Sequence, residues 1–575
     1  MIKDFSLSRN NALINFTQKY CETEKELLDS NGFKKVLEKY IKQLERLDAI
    51  LYDYFINMYD NKNELVKSFQ NLFKLLIVLD IKEVSRQDII YRQILRDKSQ
   101  LIEFIEGLYN YWRTIDRYAI IRNRKQAGGI QNVNFIDSTN NFTNLVLKVY
   151  RQINESVIGK KHNVYRQLAA GINAGIIVND STWESPKEYH MLKDITFIES
   201  IILRPPFITY PKKYKRKGTF EEYLYHPYES LQINADHWFC YPAKVGEYLA
   251  FVYFHRDFMV HGVTLCNLFE LAEVGEYRDR QPDLIYVFGA RDKNREMNTG
   301  YYYDKENDVM VGYANKCEDL DYFGYMKKML LTLHNLRQID SNNLPIHGAM
   351  VNVILKDGTE SNIVIIGDSG AGKSESLEAF RFLSQKYLKA MKIIFDDMGV
   401  FKIKNNKVSG YGTEIGAFVR LDDLENGYAY KEMDRSVFMN PDKINARLVM
   451  PVSTYADIMR GYKVDIVLYA NNFEDSGEVI EFFDCEFEAV EVFKQGARRA
   501  KGTTNEKGIV TSYFANPFGP LQKQSETDIL LEIFFGILYE TNVKVGQIYT
   551  QLAIEGKERS GPIKAAQRLF DLIKK

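Results

Sequence analysis

The 575-residue sequence is poor in the residues that cross-link secreted proteins and in the apolar runs that span membranes. Its five cysteines lie far apart and form no C-x-x-C pair, so neither a disulfide framework nor a zinc motif is predicted. No apolar run approaches the roughly 20 residues that a membrane span requires. The N-terminus also lacks the basic and apolar parts of a signal peptide. We therefore expect a cytoplasmic protein with no membrane partner.

An excess of charge of either sign is also missing. The 76 basic and 77 acidic side chains leave a formal net charge of -1, which argues against a nucleic-acid partner. The basic stretch 212–217 is short, and we interpret it as a solvated loop. Hydrophobic residues make up 45% of the chain and charged residues 27%, which is the composition of an ordinary globular protein.

The pattern of apolar residues changes along the chain and predicts three domains. Proline is absent from residues 22–122, and apolar residues recur there at three- and four-residue spacing, as in Phe33 to Phe55 and again as far as Ile121. We expect an all-α N-terminal domain over residues 1–130. It carries no visible chemistry, and its helices are a possible protein-binding surface.

The remainder of the chain predicts α/β structure. Short β-branched and aromatic runs predict a mixed α/β domain over residues 131–340, which includes a hairpin turning at Lys305 to Asp308. Strands that alternate with helices predict a further α/β domain over residues 341–575. We assign the substrate side to the first of these domains and the nucleotide to the second.

A phosphate-binding loop is the most specific motif of the sequence. Its residues are Gly367, Asp368, Ser369, Gly370, Ala371, Gly372, Lys373 and Ser374. An apolar β run precedes the loop and a helical segment follows it, which is the context that the motif requires. Lys373 is expected to bridge the β- and γ-phosphates of ATP, and the Ser374 hydroxyl to bind Mg²⁺. The glycines would let backbone N–H groups face the phosphate oxygens.

Two consecutive carboxylates follow a second predicted strand. Residues 392–395 form a β run that leads directly into Asp396 and Asp397. We expect both carboxylates at a strand end beside the phosphate loop, where such groups carry the metal ion of a nucleotide site.

The loop and the Phe-Asp-Asp sequence together resemble the nucleotide-binding core shared by phosphoenolpyruvate carboxykinase and HPr kinase/phosphorylase. The resemblance covers residues 322 to 519, about a third of the chain, and it rests on several blocks in the same order. The further blocks are Tyr322–Lys328 (YFGYMKK), Leu344–His347 (LPIH), Glu414–Arg420, Asn445–Pro451 and Gly502–Gly508. The fold that the resemblance implies is a carboxykinase-like α/β core with mixed sheets, to which the all-α N-terminal domain is added.

The resemblance implies roles for individual residues at the substrate and the nucleotide. Tyr322 and Gly324 would lie at a small carboxylate substrate, Lys327 would reach substrate and phosphate, and Arg447 would contact the transferring phosphoryl group. Glu375, Arg420 and Lys507 would belong to the nucleotide site.

The resemblance also implies a Mn²⁺ site formed by Lys328, His347 and Asp397. A lysine can bind a metal only when it is neutral, so its pKa must be lowered by the cation and by the neighbouring Lys327. The mixed nitrogen and oxygen ligands suit Mn²⁺ better than an all-oxygen site would.

Two functions remain open at this point. The first is an ATP-dependent phosphoenolpyruvate carboxykinase, which converts oxaloacetate and ATP to phosphoenolpyruvate, CO₂ and ADP. The second is a kinase for a protein serine or a small hydroxylated metabolite, with Asp396 as the base. The Gly-Lys-Ser-Glu form of the loop favours the kinase, since it is the form found in HPr kinases. The missing G-R-S-P-K-D-K block also favours it, and Arg204 is our candidate for the substrate arginine of that block. A nucleotide-binding regulator without activity is a third reading.

Overall fold

The computed structural model describes residues 4–17, 20–47, 50–59, 61–122, 130–161, 171–180, 183–229, 231–278, 280–291, 298–368, 370–383, 387–421, 424, 433, 435–500 and 508–574. The fold is mixed α/β and divides into two compact units. The first unit holds Met1–Asp180 and Thr196–Arg204, and the second holds Ser181–Ile195 and Pro205–Lys575. These units do not coincide with the three predicted domains, because the boundary expected near residue 340 falls inside the second unit.

The first unit combines a five-stranded sheet with a set of helices. The strands follow the order β1-β2-β3-β4-β5, in which β2, β3 and β4 are parallel and the outer strands are antiparallel to their neighbours. The strands are β1 (Phe5–Ser8), β2 (Asn11–Asn15), β3 (Asp116–Arg122), β4 (Ala174–Asn179) and β5 (Thr196–Leu203). The helices are α1 (Glu24–Asp29), α2 (Asn31–Arg46), α3 (Ile50–Ile56), α4 (Lys62–Leu76), α5 (Ile81–Gln87), α6 (Ile89–Arg96), α7 (Lys98–Thr114) and α8 (Ile130–Ile158).

The predicted helices of the N-terminal region are present, but the region is not all-α. Helix α2 begins at a Ser30 cap whose hydroxyl accepts the Phe33 amide, and the rings of Phe69 and Phe104 stack at 4.2 Å between α4 and α7. The expectation of helix as far as Ile121 is wrong, because β3 occupies Asp116–Arg122. Its residues are buried on both faces between two parallel neighbours. Such a strand has a continuous apolar sequence that periodicity does not distinguish from a buried helix.

The second unit contains two large sheets, a four-stranded sheet and a hairpin. The first large sheet has the order β8-β9-β11-β13-β12-β7, with β10 beside β8. The second has the order β21-β17-β16-β14-β15-β22-β26-β23. The smaller sheet has the order β18-β20-β19-β6, and β24 pairs with β25.

The strands of the second unit are β6 (Phe207–Thr209), β7 (Glu221–Glu222), β8 (Trp238–Val245), β9 (Tyr248–His255), β10 (Glu270–Leu271), β11 (Leu284–Ala290), β12 (Thr299–Asp304), β13 (Val309–Asn315), β14 (Leu344–Leu355), β15 (Glu360–Ile366), β16 (Leu388–Lys404), β17 (Lys407–Gly412), β18 (Gly416–Arg420), β19 (Val437–Met439), β20 (Arg447–Pro451), β21 (Tyr462–Lys463), β22 (Ile466–Asn471), β23 (Ile480–Phe482), β24 (Ala497–Arg499), β25 (Ile509–Thr511) and β26 (Lys544–Tyr549). Its helices are α9 (Met259–Thr264), α10 (Val274–Tyr277), α11 (Phe323–Asp340), α12 (Lys373–Leu383), α13 (Tyr455–Ile458), α14 (Glu486–Gln495), α15 (Gln524–Glu540) and α16 (Ser560–Lys574).

Most of the local predictions for this unit are confirmed. The hairpin of β12 and β13 turns where expected, with Asp304 opposite Val309. One expectation is wrong, because Asp396 and Asp397 lie within the 17-residue strand β16 and not at a strand end. The strand continues past them because β14 pairs with it along its length, and Asp397 takes a φ of 134° in the middle of that pairing. Among the described residues, no helix is both long enough and apolar enough to cross a membrane.

Candidate functional site

The phosphate loop of the second unit joins β15 to α12 and lines a cleft of about 2110 Å³. Gly370 and Gly372 have φ angles of 81° and 94°, which L side chains rarely adopt. A Cβ atom on Gly372 would also come within 2.6 Å of Oγ1 of Thr550. The amide of Ala371 donates to the carbonyl of Asp368 at 3.1 Å, which closes a tight turn. The loop therefore has the curled backbone that the sequence predicts.

Lys373 and Ser374 begin α12 and face polar partners. Nζ of Lys373 donates to the Asp368 carbonyl at 3.1 Å. The Ser374 hydroxyl donates to Oδ1 of Asp396 at 3.0 Å, and burial raises the pKa of Asp396 above its ordinary value. The serine predicted to bind a cation therefore lies beside a carboxylate, as in a nucleotide site that carries Mg²⁺ with the phosphates.

Three cationic or basic side chains converge on Asp397. Nζ of Lys327 and Nζ of Lys328, both from α11, lie 2.6 and 2.7 Å from Oδ2 of Asp397. Nε2 of His347 lies 3.0 Å from Oδ1 of the same carboxylate. The convergence follows from strand register, because β14 and β16 are antiparallel and Gly348 is the pairing partner of Asp397. The structure thus brings together all three predicted Mn²⁺ ligands and Lys327.

The charges of this cluster compensate one another. Although burial favours the neutral acid, Lys327, Lys328 and His347 hold the pKa of Asp397 well below its ordinary value. Burial, together with the charge of Lys327, lowers the pKa of Lys328 to about 8. Burial opposes the charge on Lys327, but Asp397 and Glu414 raise its pKa above the ordinary value. Of the two lysines, Lys328 is therefore the one that loses its proton more readily, which a metal ligand must do.

The tautomer of His347 supports a cation at this position. Nδ1 lies 2.5 Å from the carbonyl of Ala515, which can only accept a hydrogen bond, so Nδ1 carries the proton. In the neutral ring, Nε2 then presents a lone pair towards Oδ1 of Asp397 at 3.0 Å, where the two atoms can share a cation; in the protonated ring, Nε2 donates to that oxygen instead. The residues therefore fit a divalent ion. Among the described residues no group of three His, Cys, Asp or Glu side chains gathers, so Lys328 is needed to complete the set.

The predicted substrate residues of the second unit line the same cleft. Tyr322 precedes α11, and Gly324 packs so closely against its ring that a Cβ atom would come within 2.3 Å of it. Arg420 and Arg447 are opposite each other in the pairing of β18 with β20. The Arg447 guanidinium lies 5.0 Å from the Phe418 ring centre, and in the described part of the chain its buried Nε has no hydrogen-bond partner. Arg447 therefore offers a donor to a ligand.

Three predicted site residues lie elsewhere or cannot be placed. Arg204 belongs to the first unit, where it donates to the side chains of Asn140 and Thr139 in α8. A role of Arg204 at a substrate carboxylate stays a prediction. Ser369 and Lys507 are outside the described residues.

The sequence interpretation assigned no site role to Arg216, which lines the cleft, or to Glu414, which contacts Lys327. Arg216 lies within the basic stretch that we interpreted as a solvated loop, yet burial lowers its pKa, and its guanidinium is 5.1 Å from the rings of both Phe220 and Phe518. The basic residues were visible in the sequence, but charge alone did not show that one of them lies beside two aromatic rings. Glu414, whose carboxylate is 3.1 Å from Nζ of Lys327, is fully buried, and burial raises its pKa to about 7.

Comparison with protein-family models and with curated proteins gives no match for this sequence.

Proposed function

We propose that the second unit catalyses ATP-dependent phosphoryl transfer of the phosphoenolpyruvate carboxykinase type. The observation that carries the proposal is the convergence of Lys327, Lys328 and His347 on Asp397. This cluster adjoins Asp396, which is hydrogen-bonded to Ser374 of the phosphate loop. Enzymes that transfer phosphoryl groups place cations and a metal site next to the triphosphate. Positioning and charge neutralisation supply most of the catalysis in such enzymes.

The nucleotide would lie along the phosphate loop. Backbone amides of the loop would donate to phosphate oxygens, and Lys373 would exchange its bond to the Asp368 carbonyl for a bond to phosphate. Ser374 would share Mg²⁺ with the phosphates, next to Asp396. Arg447 would direct its unpartnered donor at the phosphoryl group that moves.

The acceptor would lie beside the Asp397 cluster. Lys328, His347 and Asp397 would hold Mn²⁺, which when bound supplies Lewis-acid polarisation of the acceptor oxygen. Lys327 keeps its charge within the cluster and would neutralise charge on the acceptor. The half-buried Arg216 lines the cleft, and its guanidinium would hold a substrate carboxylate.

One observation favours the kinase alternative. Burial raises the pKa of Asp396, and its Oδ1 lies 3.0 Å from the Ser374 hydroxyl, so a carboxylate with raised basicity stands at the end of the phosphate loop. A kinase for a hydroxyl acceptor requires a base at such a position. The carboxykinase remains our first proposal, because the paired lysines have no evident task in a kinase.

The proposal is tested by supplying phosphoenolpyruvate, ADP, bicarbonate, Mn²⁺ and Mg²⁺, with oxaloacetate formation coupled to malate dehydrogenase. We expect turnover in the wild type and its loss in Lys373→Ala and His347→Ala. Lys407→Ala and His190→Ala change exposed side chains outside the cleft and serve as matched controls that should retain turnover. Tight ATP binding without oxaloacetate formation would refute the carboxykinase and leave the kinase to be tested against hydroxyl acceptors.

A further inference from the structure

The phosphate loop contains a carboxylate that would oppose its own ligand. Asp368 is the second residue of the loop, and a negative charge there would repel a polyphosphate unless a cation neutralises it. Oδ2 of Asp368 accepts a hydrogen bond from Nε of Arg498 at 2.9 Å, and the two side chains are only 15% and 9% exposed. The pair is thus mostly shielded from water, where a charged partner has its largest effect.

Arg498 reaches the loop from a strand that is distant in sequence. It belongs to β24, which forms a hairpin with β25 and follows α14. The same strand is attached to the loop a second time through Asn472. Nδ2 of Asn472 lies 3.0 Å from the Gly370 carbonyl and 3.0 Å from a carbonyl of β24, while its Oδ1 accepts an amide of β24 at 2.8 Å. The hairpin therefore contacts the loop through one ion pair and one bridging amide.

The other oxygen of the same carboxylate faces the metal cluster. Oδ1 of Asp368 lies 3.7 Å from Nδ1 of His347, which is engaged by the Ala515 carbonyl. A change in the charge of Asp368 would therefore act on both Arg498 and His347. Nε of Arg498 is close enough to Oδ2 of Asp368 for a direct hydrogen bond.

We propose that Arg498 is a positioning residue for nucleotide binding, which neutralises Asp368 and so makes the loop receptive to the phosphates of a nucleoside di- or triphosphate. The inference rests on the proposed function, since it assumes that the loop binds a nucleotide. It predicts that the need for Arg498 disappears once the carboxylate of Asp368 is removed.

A double-mutant cycle on nucleotide affinity tests this dependence. The affinity of the full-length chain for a fluorescent ADP analogue in Mg²⁺ is measured for Arg498→Met, Asp368→Asn and the double variant. We expect Arg498→Met to weaken binding about tenfold or more, because the mostly shielded Asp368 carboxylate loses the cation that neutralises it. The double variant should bind within about threefold of Asp368→Asn alone, because the charge that Arg498 neutralises is then absent.

Two further variants separate this role from a general loss of structure. Arg498→Lys should retain part of the affinity because it keeps the charge. Arg499→Met alters the adjacent side chain, which is exposed, and should bind as the wild type does. The melting temperature of each variant is recorded alongside.

The outcomes distinguish this inference from the proposed function. Unchanged affinity in Arg498→Met, or a double variant as weak as Arg498→Met, would overturn the inference while nucleotide binding stands. In the second case the guanidinium would act on the phosphates directly. A wild-type chain that binds no nucleotide would overturn the proposed function together with this inference.

Discussion

The backbone amide of Gly367 donates to the carbonyl of His347 at 3.1 Å, so the first residue of the phosphate loop is tied to a candidate metal ligand. The residue after His347 is Gly348, which pairs with Ile366 of β15 on one side and with Asp397 of β16 on the other. One central strand, β14, thereby fixes the spacing between the phosphate loop and the Asp397 cluster. Groups held by a sheet keep their geometry better than groups held by loops, which suits a site that depends on positioning.

Lys327 is predicted to stabilise the fold as well as the site. Its side chain is fully buried between Asp397 and Glu414, at 2.6 and 3.1 Å. Lys327→Met should lower the free energy of unfolding by about 3 kcal/mol, because it removes the cation that pairs with the fully buried Glu414 and one of the cations beside Asp397. Adding Glu414→Gln should recover part of the loss. Urea unfolding at pH 8 measures both effects, with the exposed Lys389→Met as control. Equal stability of Lys327→Met and the wild type would contradict this account.

Arg447 is predicted to act on the reaction more than on nucleotide binding. Its buried Nε has no partner within the described residues, and its guanidinium is steadied by the Phe418 ring. Arg447→Met should lower kcat by about 10² to 10³ while the KM for nucleotide changes little, as expected for a donor used in the transition state. Arg460→Met removes an arginine whose side chain is 60% exposed and should leave both constants unchanged. If Arg447→Met instead raised KM by about 10² to 10³ and left kcat unchanged, Arg447 would act in ground-state binding.

The phosphate loop was the part of the site best predicted from sequence, because its glycines, lysine and flanking elements follow one another along the chain. Asp397 was predicted from the β run that leads into it, whereas Lys327, Lys328 and His347 were predicted only from the resemblance. Arg216, Glu414 and Arg498 were missed as site residues because burial and strand pairing assign their partners, and neither is visible in a single sequence. Strand β3 was missed for a related reason, since an apolar run that is buried on both faces has no period to identify it.

Gly372 is predicted to tolerate no side chain. Its φ is 94°, and a Cβ atom would lie 2.6 Å from Oγ1 of Thr550, whose hydroxyl donates to the Ala371 carbonyl at 2.7 Å. Gly372→Ala should cost about 1 to 3 kcal/mol of unfolding free energy and weaken nucleotide binding. Gly477→Ala is the matched control, since nothing lies within 4 Å of its added methyl group. Identical melting and affinity in the two variants would show that the loop is less constrained than the structure implies.

His334 is predicted to make the second unit sensitive to acid. Burial lowers its pKa to about 4, against about 6.5 for an ordinary histidine. The unfolded chain therefore takes up the proton first, and stability is lost as the pH falls from about 6.5 towards about 4. At pH 5 the loss from this residue should be about 2 kcal/mol.

Unfolding in urea at pH 7 and pH 5 measures this loss. In His334→Gln the difference between the two pH values should shrink, whereas the exposed His190→Gln should leave it unchanged. If His334→Gln and the wild type lost the same unfolding free energy between pH 7 and pH 5, His334 would not be the source of the acid sensitivity.

Binding of Mn²⁺, followed by the electron paramagnetic resonance signal of the free ion, tests the central claim most directly. If Lys328, His347 and Asp397 form the metal site, the wild type should bind Mn²⁺ and His347→Asn should bind it about 100-fold more weakly or worse. Lys328→Met should weaken Mn²⁺ binding similarly, and the control His190→Asn should leave Mn²⁺ binding unchanged. Equal Mn²⁺ affinity in the wild type and His347→Asn, or no binding by the wild type, would contradict the account.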